Sequence, residues 1–563
     1  MGLSGAAAAL HQCAADVAYD AAIPLLVQAF EKREIDQQVA GFFWDPNLIE
    51  YAQYLACQPK AVSVRFAVPS VELTQSRPLI MSALFTWLAS RLTAHTYSSD
   101  ILEEQQWRMA ATHDIKYLKS LEAVRERSQE VLKRAEEGKL LHFEYDASKM
   151  DEVAEYVYSL IMRDYGGIDK VPMHGRWRSY CIKTVGDDGV SRMRDLVSEH
   201  VARWREADVG EWESARRIVD LFMVSVLVDA GAGSQWRYQD AEFGTLARTE
   251  GLGLAALRMF EAGAFSSSKT NAFQVDAAAL EALDDQALLD GFQVSDTNPL
   301  LGSASRAQLL RSLGRALHAQ TAYFGGMCAC QNHPARPGFM LDYLTGRASA
   351  PRTVSIDDLW EVVVDGLTAV WPASRTKLDG VSLGDVWQCD TLQPDAADDA
   401  APAQTEPGAR SLVPFHKLSQ WLTWSLLEVA TRLARFTVRG TERLTGLAEY
   451  RNGGLFVDMG VLTLVPAARE RGAAASGGST LPPVFAGSDP VVVEWRAMTV
   501  ALLDLVADRI RRLGSLDESQ LPPMFLSRVL EGGTWKAGRE MAAKLRSPTN
   551  DPPINIVSDG TLF

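Results

Sequence analysis

The residues best placed to do chemistry follow an apolar run, in Leu227-Val-Asp-Ala-Gly-Ala-Gly-Ser-Gln-Trp-Arg-Tyr238. Residues 218–228 are apolar nearly all round, which predicts a helix buried on every side. It should end at Asp229, with Gly231 or Gly233 as its cap. A carboxylate at the negative end of a helix dipole costs stability. Asp229 is therefore either a working acid/base or the partner of a cation such as Arg237. A turn Asp bonded to its own loop is the plainer alternative.

A second set is Tyr450, Arg451, Asn452 and Asp458, placed around the double glycine of Leu447-Ala-Glu-Tyr-Arg-Asn-Gly-Gly-Leu-Phe-Val-Asp458. The glycines would let backbone approach a ligand. Arg451 could grip a phosphate or carboxylate as a fork and Asn452 could read an amide; a tight turn with an Arg–Glu surface pair explains the segment equally well. His416 and Lys417 precede a helical stripe, near an N-terminus where anions are favoured, although a lone His beside an apolar helix is more often a satisfied core residue. His174-Gly-Arg176-Trp177-Arg178 sets two guanidiniums around an indole, as an anion or ring clamp or as an interior Arg–carboxylate network. Ser303 and Ser305 read as helix caps. Cys328-Ala-Cys330 with His333 has the wrong spacing and too few ligands for zinc, so no metal is expected. No dinucleotide fingerprint, phosphate loop, HExxH or nucleophile elbow is present. Carboxylates, arginines, amides and aromatics remain, a set suited to hydrolysis at a polar small molecule.

The elements that must position these residues read as mainly α. Leu102, Trp107, Met109, Ile115, Leu118, Leu121, Val124 and Leu132 recur at helical spacing and stop near Gly138; Leu418, Trp421, Leu422, Leu426, Val429 and Leu433 form another stripe after Pro414. Strand signals are few: 490–495 is the best and 455–457 weaker. Residues 391–410 and 467–489 read as mobile surface insertions. One large helical domain over 1–563 is expected, with an N-terminal helical part to 164 and the motif-bearing core from 165.

Composition bounds the partners. The 563 residues carry 56 basic and 71 acidic side chains, a formal charge of −15, which argues against duplex nucleic acid. The longest apolar run, 79–90, is too short to span a membrane. Six scattered cysteines and the lack of a signal-peptide pattern predict a cytoplasmic protein.

Ten segments, in order, resemble one family: HGRWRSY, LVDAGAGSQWRY, NPLLGSASRAQLL, RPGFMLDYL, GDVW, LVPFHKLSQWLTWSL, LTGLAEYRNGGLFVDMGVL, VEWRAMTVALLD, GGTWKAGRE and SDGTLF. This is the uracil-catabolism (URC pathway) protein four family of fungi and bacteria. Some members carry the label uracil phosphoribosyltransferase, but the parallel sheet and acidic ribose-phosphate loop of such an enzyme are not apparent; the acidic pairs Asp284-Asp285 and Asp398-Asp399 lack that setting. The resemblance implies instead a pathway in which uracil becomes a nucleotide and a cyclohydrolase-like enzyme opens the ring, leaving a ribosylurea-type intermediate. EYRNGGLFVD is also distantly similar to a DYR-type segment of queuosine salvage proteins, helical nucleotide N-glycosidases shaped like DNA glycosylases. Together these imply hydrolysis of the C1′–N bond of a nucleoside- or nucleotide-derived substrate, without cofactor. Asp229, then Asp458, would be the catalytic carboxylate. Arg451 with Arg176, Arg178 or Arg237 would hold a 5′-phosphate, Asn452 the ureido group, and Tyr238 or Trp177 would wall the sugar. The alternatives are a uracil phosphoribosyltransferase and a non-catalytic partner of the ring-opening enzyme. The oligomeric state is left open.

Overall fold

Asp489 and Pro490 open the longest helix among the described residues because the Asp489 side chain accepts from Val491 N and proline suits the first helical turn. This computed structural model describes residues 112–557, except 187, 230, 234, 327–333, 394–408, 477, 479–480, 518–520 and 522–523. In chain order the elements used below are α1 (Leu121–Glu136), β1 (Phe143–Tyr145), α2 (Met150–Tyr165), α3 (Glu211–Leu227), α4 (Arg248–Glu261), α5 (Ser303–Ala319), α6 (Lys417–Arg432), α7 (Tyr450–Asp458), β2 (Leu462–Leu464), α8 (Pro490–Leu513) and α9 (Trp535–Leu545).

The mainly α class holds. Every sheet among the described residues has two strands, such as β1 antiparallel to β2 with Phe143 opposite Leu464. α8 packs against α1 and α2, α3 against α6, and α7 against α9 and α8. All of them feed one principal apolar cluster. The predicted central helix is α3, buried from Ile218 through Leu227, and the Leu418 stripe is α6. α1 stops at Glu136, as the periodicity requires. No helix among the described residues is long and apolar enough to cross a membrane.

Three local expectations are corrected. Residues 490–495 are helical: the β-branched Val491, Val492 and Val493 are buried in α8, and the Asp489 cap outweighs their strand preference. Residues 455–457 lie inside α7, whose first turn is capped by Glu449 accepting from Arg451 N and Asn452 N. Much of 467–489 is ordered. Residues Pro466–Ser476 form a helix, and Val484–Ala486 pair in parallel with Asn555–Val557, because Phe485 packs closely on Gly472. Nor do the serines of α5 cap it: Gly302, in the left-handed region, is its N-cap. Cys328, Cys330, His333, Asp398, Asp399, most of 391–410, the 79–90 run and the terminal SDGTLF lie outside the described residues.

Candidate functional site

A cavity of about 550 Å³ lies where several helix ends meet. Its wall takes the loop after α3, the first turns of α4 and α6, the start of α7, the turn leading into α9, and residues 174–181 and 550–556. Helix ends expose unpaired backbone donors and acceptors, so such a convergence favours polar ligands.

Asp229 reaches this wall. α3 ends at Leu227 with Val228 as its C-cap, so Asp229 starts the loop rather than closing the helix. Its carboxylate accepts from Arg176 Nη2 at 2.6 Å and from Thr249 Oγ1 at 3.3 Å. Arg176 is fully buried. It also donates to Ser225 O at 2.7 Å and Ser179 Oγ at 3.0 Å, and lies 4.8 Å from the Trp421 ring centroid. The loop itself is pinned by Arg306, whose guanidinium donates to Val228 O, Gly231 O and Leu301 O. Gly233 has φ +79°, and a Cβ there would stand 3.0 Å from Leu301. The positive φ favours glycine at that position, and the exposed Leu301 side chain would have to give slightly for any other residue. Arg237, expected to be the partner of Asp229, is exposed on a two-stranded hairpin and donates to Trp236 O. The partner came from Arg176, which the fold brings close although it is far away in the chain.

A second acid–base pair shares the cavity. His174 Nδ1 is 2.6 Å from Glu531 Oε2, and the imidazole packs edge-on to Trp424 and tilted against Trp535. Glu531 lies in a π-helical turn, Leu530–Thr534, a distortion often found at functional sites. Among the described residues the only side-chain hydrogen bond of His174 is the one at Nδ1, which leaves Nε2 for a ligand. Lys417 also lines the cavity, with Nζ 5.6 Å from the Trp421 ring centroid and, among the described residues, no carboxylate in pairing distance. Burial lowers its pKa, an effect opposed by the fields of Glu449 and Asp229. Arg178 lines the wall too, held by Glu428 at 2.8 Å.

Arg248, Arg451 and Arg539 face the same space. Arg451 donates to Asn550 O at 3.0 Å and stacks on Tyr450; Arg539 stacks on Trp535. Burial lowers the pKa of Arg248, and the neighbouring Arg451 and Arg539 charges lower it further.

Of the residues proposed from sequence, the cavity thus collects Asp229, His174, Arg178, Lys417, Tyr450 and Arg451. Others are placed elsewhere. Asp458 is held bidentately by Arg546 at 2.8 and 2.6 Å, away from the cavity wall. Asn452 is buried against Leu447 O and Thr534 Oγ1, because the adjacent glycines serve packing: a Cβ on Gly453 would come within 2.8 Å of the Trp495 indole nitrogen. Trp177 is buried with its indole N–H on Asp195, and Tyr238 is buried on the hairpin. Arg176 stands behind the wall rather than in it. His416 is a satisfied core residue: its Nε2 lies 2.8 Å from Leu118 O, and burial lowers its pKa. Sequence reasoning missed Glu449, Glu531, Trp535, Arg539 and Arg248. Trp535 and Arg539 sit in the GGTWKAGRE segment and Glu449 beside Tyr450, whereas Arg248 carries no local signal.

Among the described residues one further trio, His142, Asp390 and Glu494, has metal-ligand spacing. It is not part of the cavity wall. Glu494 already accepts from the N–H groups of Leu141, His142 and Phe143 and from the Thr391 hydroxyl, which uses the capacity of a carboxylate.

A family model described as a protein of unknown function (DUF1688) matches residues 117–563. Uracil catabolism protein 4 of Lachancea kluyveri is 39% identical over 468 residues, spanning 81% of this chain and all of that protein. Protein urg3 of Schizosaccharomyces pombe is 39% identical over 454 residues, spanning 80% of this chain and again all of the relative. The chain belongs to the DUF1688 family, the uracil-catabolism protein four family that its ten motifs resemble.

Proposed function

We propose that this protein is an enzyme of uracil catabolism that hydrolyses the C1′–N bond of a ribosylurea-type intermediate, releasing urea and the sugar. The observation that carries the reading is the pairing, in one cavity, of a positioned carboxylate, Asp229, with a histidine–carboxylate dyad, His174–Glu531. Cleavage leaves the bonding electrons on the ureido nitrogen and positive charge on the sugar ring. Asp229 stabilises that charge and accepts a proton from the attacking water. His174 gives its Nε2 proton to the departing nitrogen, oriented by Glu531 through Nδ1. Lys417, rather than the buried Asn452, is available to donate to the ureido carbonyl. No step requires a metal or an organic cofactor.

The transferase alternative needs a parallel sheet to carry its ribose-phosphate loop, and the described residues hold only two-stranded sheets. The test is urea release from ribosylurea and its 5′-phosphate in EDTA. Asp229→Asn should lower turnover by orders of magnitude, and His174→Gln by about 10²–10⁴-fold. Full activity in Asp229→Asn would refute the assignment of that residue. No urea from either compound, with uracil nucleotide formed once magnesium and a diphosphorylated ribose donor are added, would replace the glycosidase by the transferase. Tight binding without turnover in either assay would indicate the non-catalytic partner.

A further inference from the structure

Three guanidiniums on one cavity wall repel each other unless something between them is negative. Among the described residues, Arg248 and Arg451 have no carboxylate within 4 Å, and Arg539 has only Glu250 at 3.6 Å, a pair whose side chains are 39% and 45% exposed. Asp551 also lines the cavity but pairs with none of the three. Two of the guanidiniums are held in fixed planes, Arg451 by Tyr450 and Asn550 O, Arg539 by Trp535. Arg248 opens the 14-residue helix α4 in a left-handed conformation, φ +54°. No side chain caps that helix, so the first-turn donors of Thr249 and Glu250, both in the wall, have no capping acceptor. Strain at a cavity-facing residue persists only where the surroundings hold it in place.

We infer that Arg248, Arg451 and Arg539, with the start of α4, form a subsite for the phosphomonoester of a sugar phosphate. A phosphomonoester carries close to two negative charges near neutral pH and three terminal oxygens, matching three forks and a helix N-terminus better than a single carboxylate does. Thr249 joins this subsite to the Asp229 carboxylate through its hydroxyl. The assignment rests on the glycosidase reading for its sugar and specifies the substrate as the 5′-phosphate. It also replaces Arg176, Arg178 and Arg237 in that role: the first two are committed to Asp229 and Glu428, and Arg237 is not in the wall.

Calorimetry of the full chain with ribose 5-phosphate, ribose and inorganic phosphate tests this without requiring turnover. Ribose 5-phosphate should bind at least about tenfold more tightly than ribose. Arg248→Gln and Arg539→Gln should each weaken it by about 10–100-fold, as the loss of a hydrogen bond to a charged group does, while ribose binding is unchanged. Equal affinity for ribose and ribose 5-phosphate, or wild-type affinity in both variants, would overturn the subsite. Inorganic phosphate binding as tightly as ribose 5-phosphate would overturn its assignment to a sugar ester. Arginine-dependent binding of ribose 5-phosphate, with no urea from ribosylurea 5′-phosphate, would remove the glycosidase and leave the subsite standing. Urea release indifferent to the phosphate and to both arginines would do the reverse.

Discussion

Replacing Arg176 by methionine removes the cation beneath Asp229 while keeping roughly the same volume. Arg176 is fully buried behind the cavity wall, so on that side of the Asp229 carboxylate water cannot replace the guanidinium without opening the core. Breaking one side of a buried ion pair costs about 3–5 kcal/mol, because the remaining charge is left uncompensated. Ser225 O loses its donor as well, adding to that loss. The readout is the urea midpoint followed by tryptophan fluorescence. With a slope of about 3 kcal/mol per molar urea, a loss of 3–5 kcal/mol lowers the midpoint by about 1–1.7 M. The interaction is isolated by adding Asp229→Asn, which removes the stranded charge. The double variant should be more stable than the sum of the single losses implies, with a coupling of about 2–3 kcal/mol. A midpoint within about 0.3 M of wild type for Arg176→Met, or strict additivity in the cycle, would show that Asp229 is not held by Arg176, and the geometry proposed for catalysis would fail with it.

Two further outcomes follow from packing and titration. A Cβ on Gly538 would stand 2.1 Å from Arg451 O, a backbone atom that cannot swing aside. Gly538→Ala should therefore push α9 off α7, destabilise by about 1–3 kcal/mol and weaken ribose 5-phosphate binding; unchanged stability and binding would refute this packing role. Asp385 is buried and its pKa lies well below the usual carboxylate range. Burial opposes that shift, but Arg496, the Trp387 indole and Lys417 N outweigh it. A depressed carboxylate contributes stability above its unfolded pKa of about 3.9 that is lost as pH falls through the folded value. Asp385→Asn should thus be less stable at pH 7 and lose less stability on acidification below about pH 4. Parallel pH profiles for variant and wild type would count against this linkage.

Sequence alone was sufficient where the governing physics is local. The periodicity of α3 and α6, the end of α1 near Gly138 and the mainly α class all follow from side-chain spacing over a few turns. The motif segments also contained much of the cavity wall, since Asp229, His174, Tyr450, Arg451 and Trp535 all lie within them. Local reading failed where one signal overrode another: the Asp489 and Glu449 caps turned short β-branched or apolar runs into helix, and the double glycine at 453–454 admitted Trp495 and Pro553 instead of a ligand. Pairing was decided only by the tertiary structure. Arg176 meets Asp229 across 53 positions and His174 meets Glu531 across 357, while Arg248, Arg451 and Arg539 arrive from three separate helices. Helical spacing fixes which face of an element is apolar, but a polar side chain's partner depends on which helix ends converge. That convergence comes from the whole core packing at once.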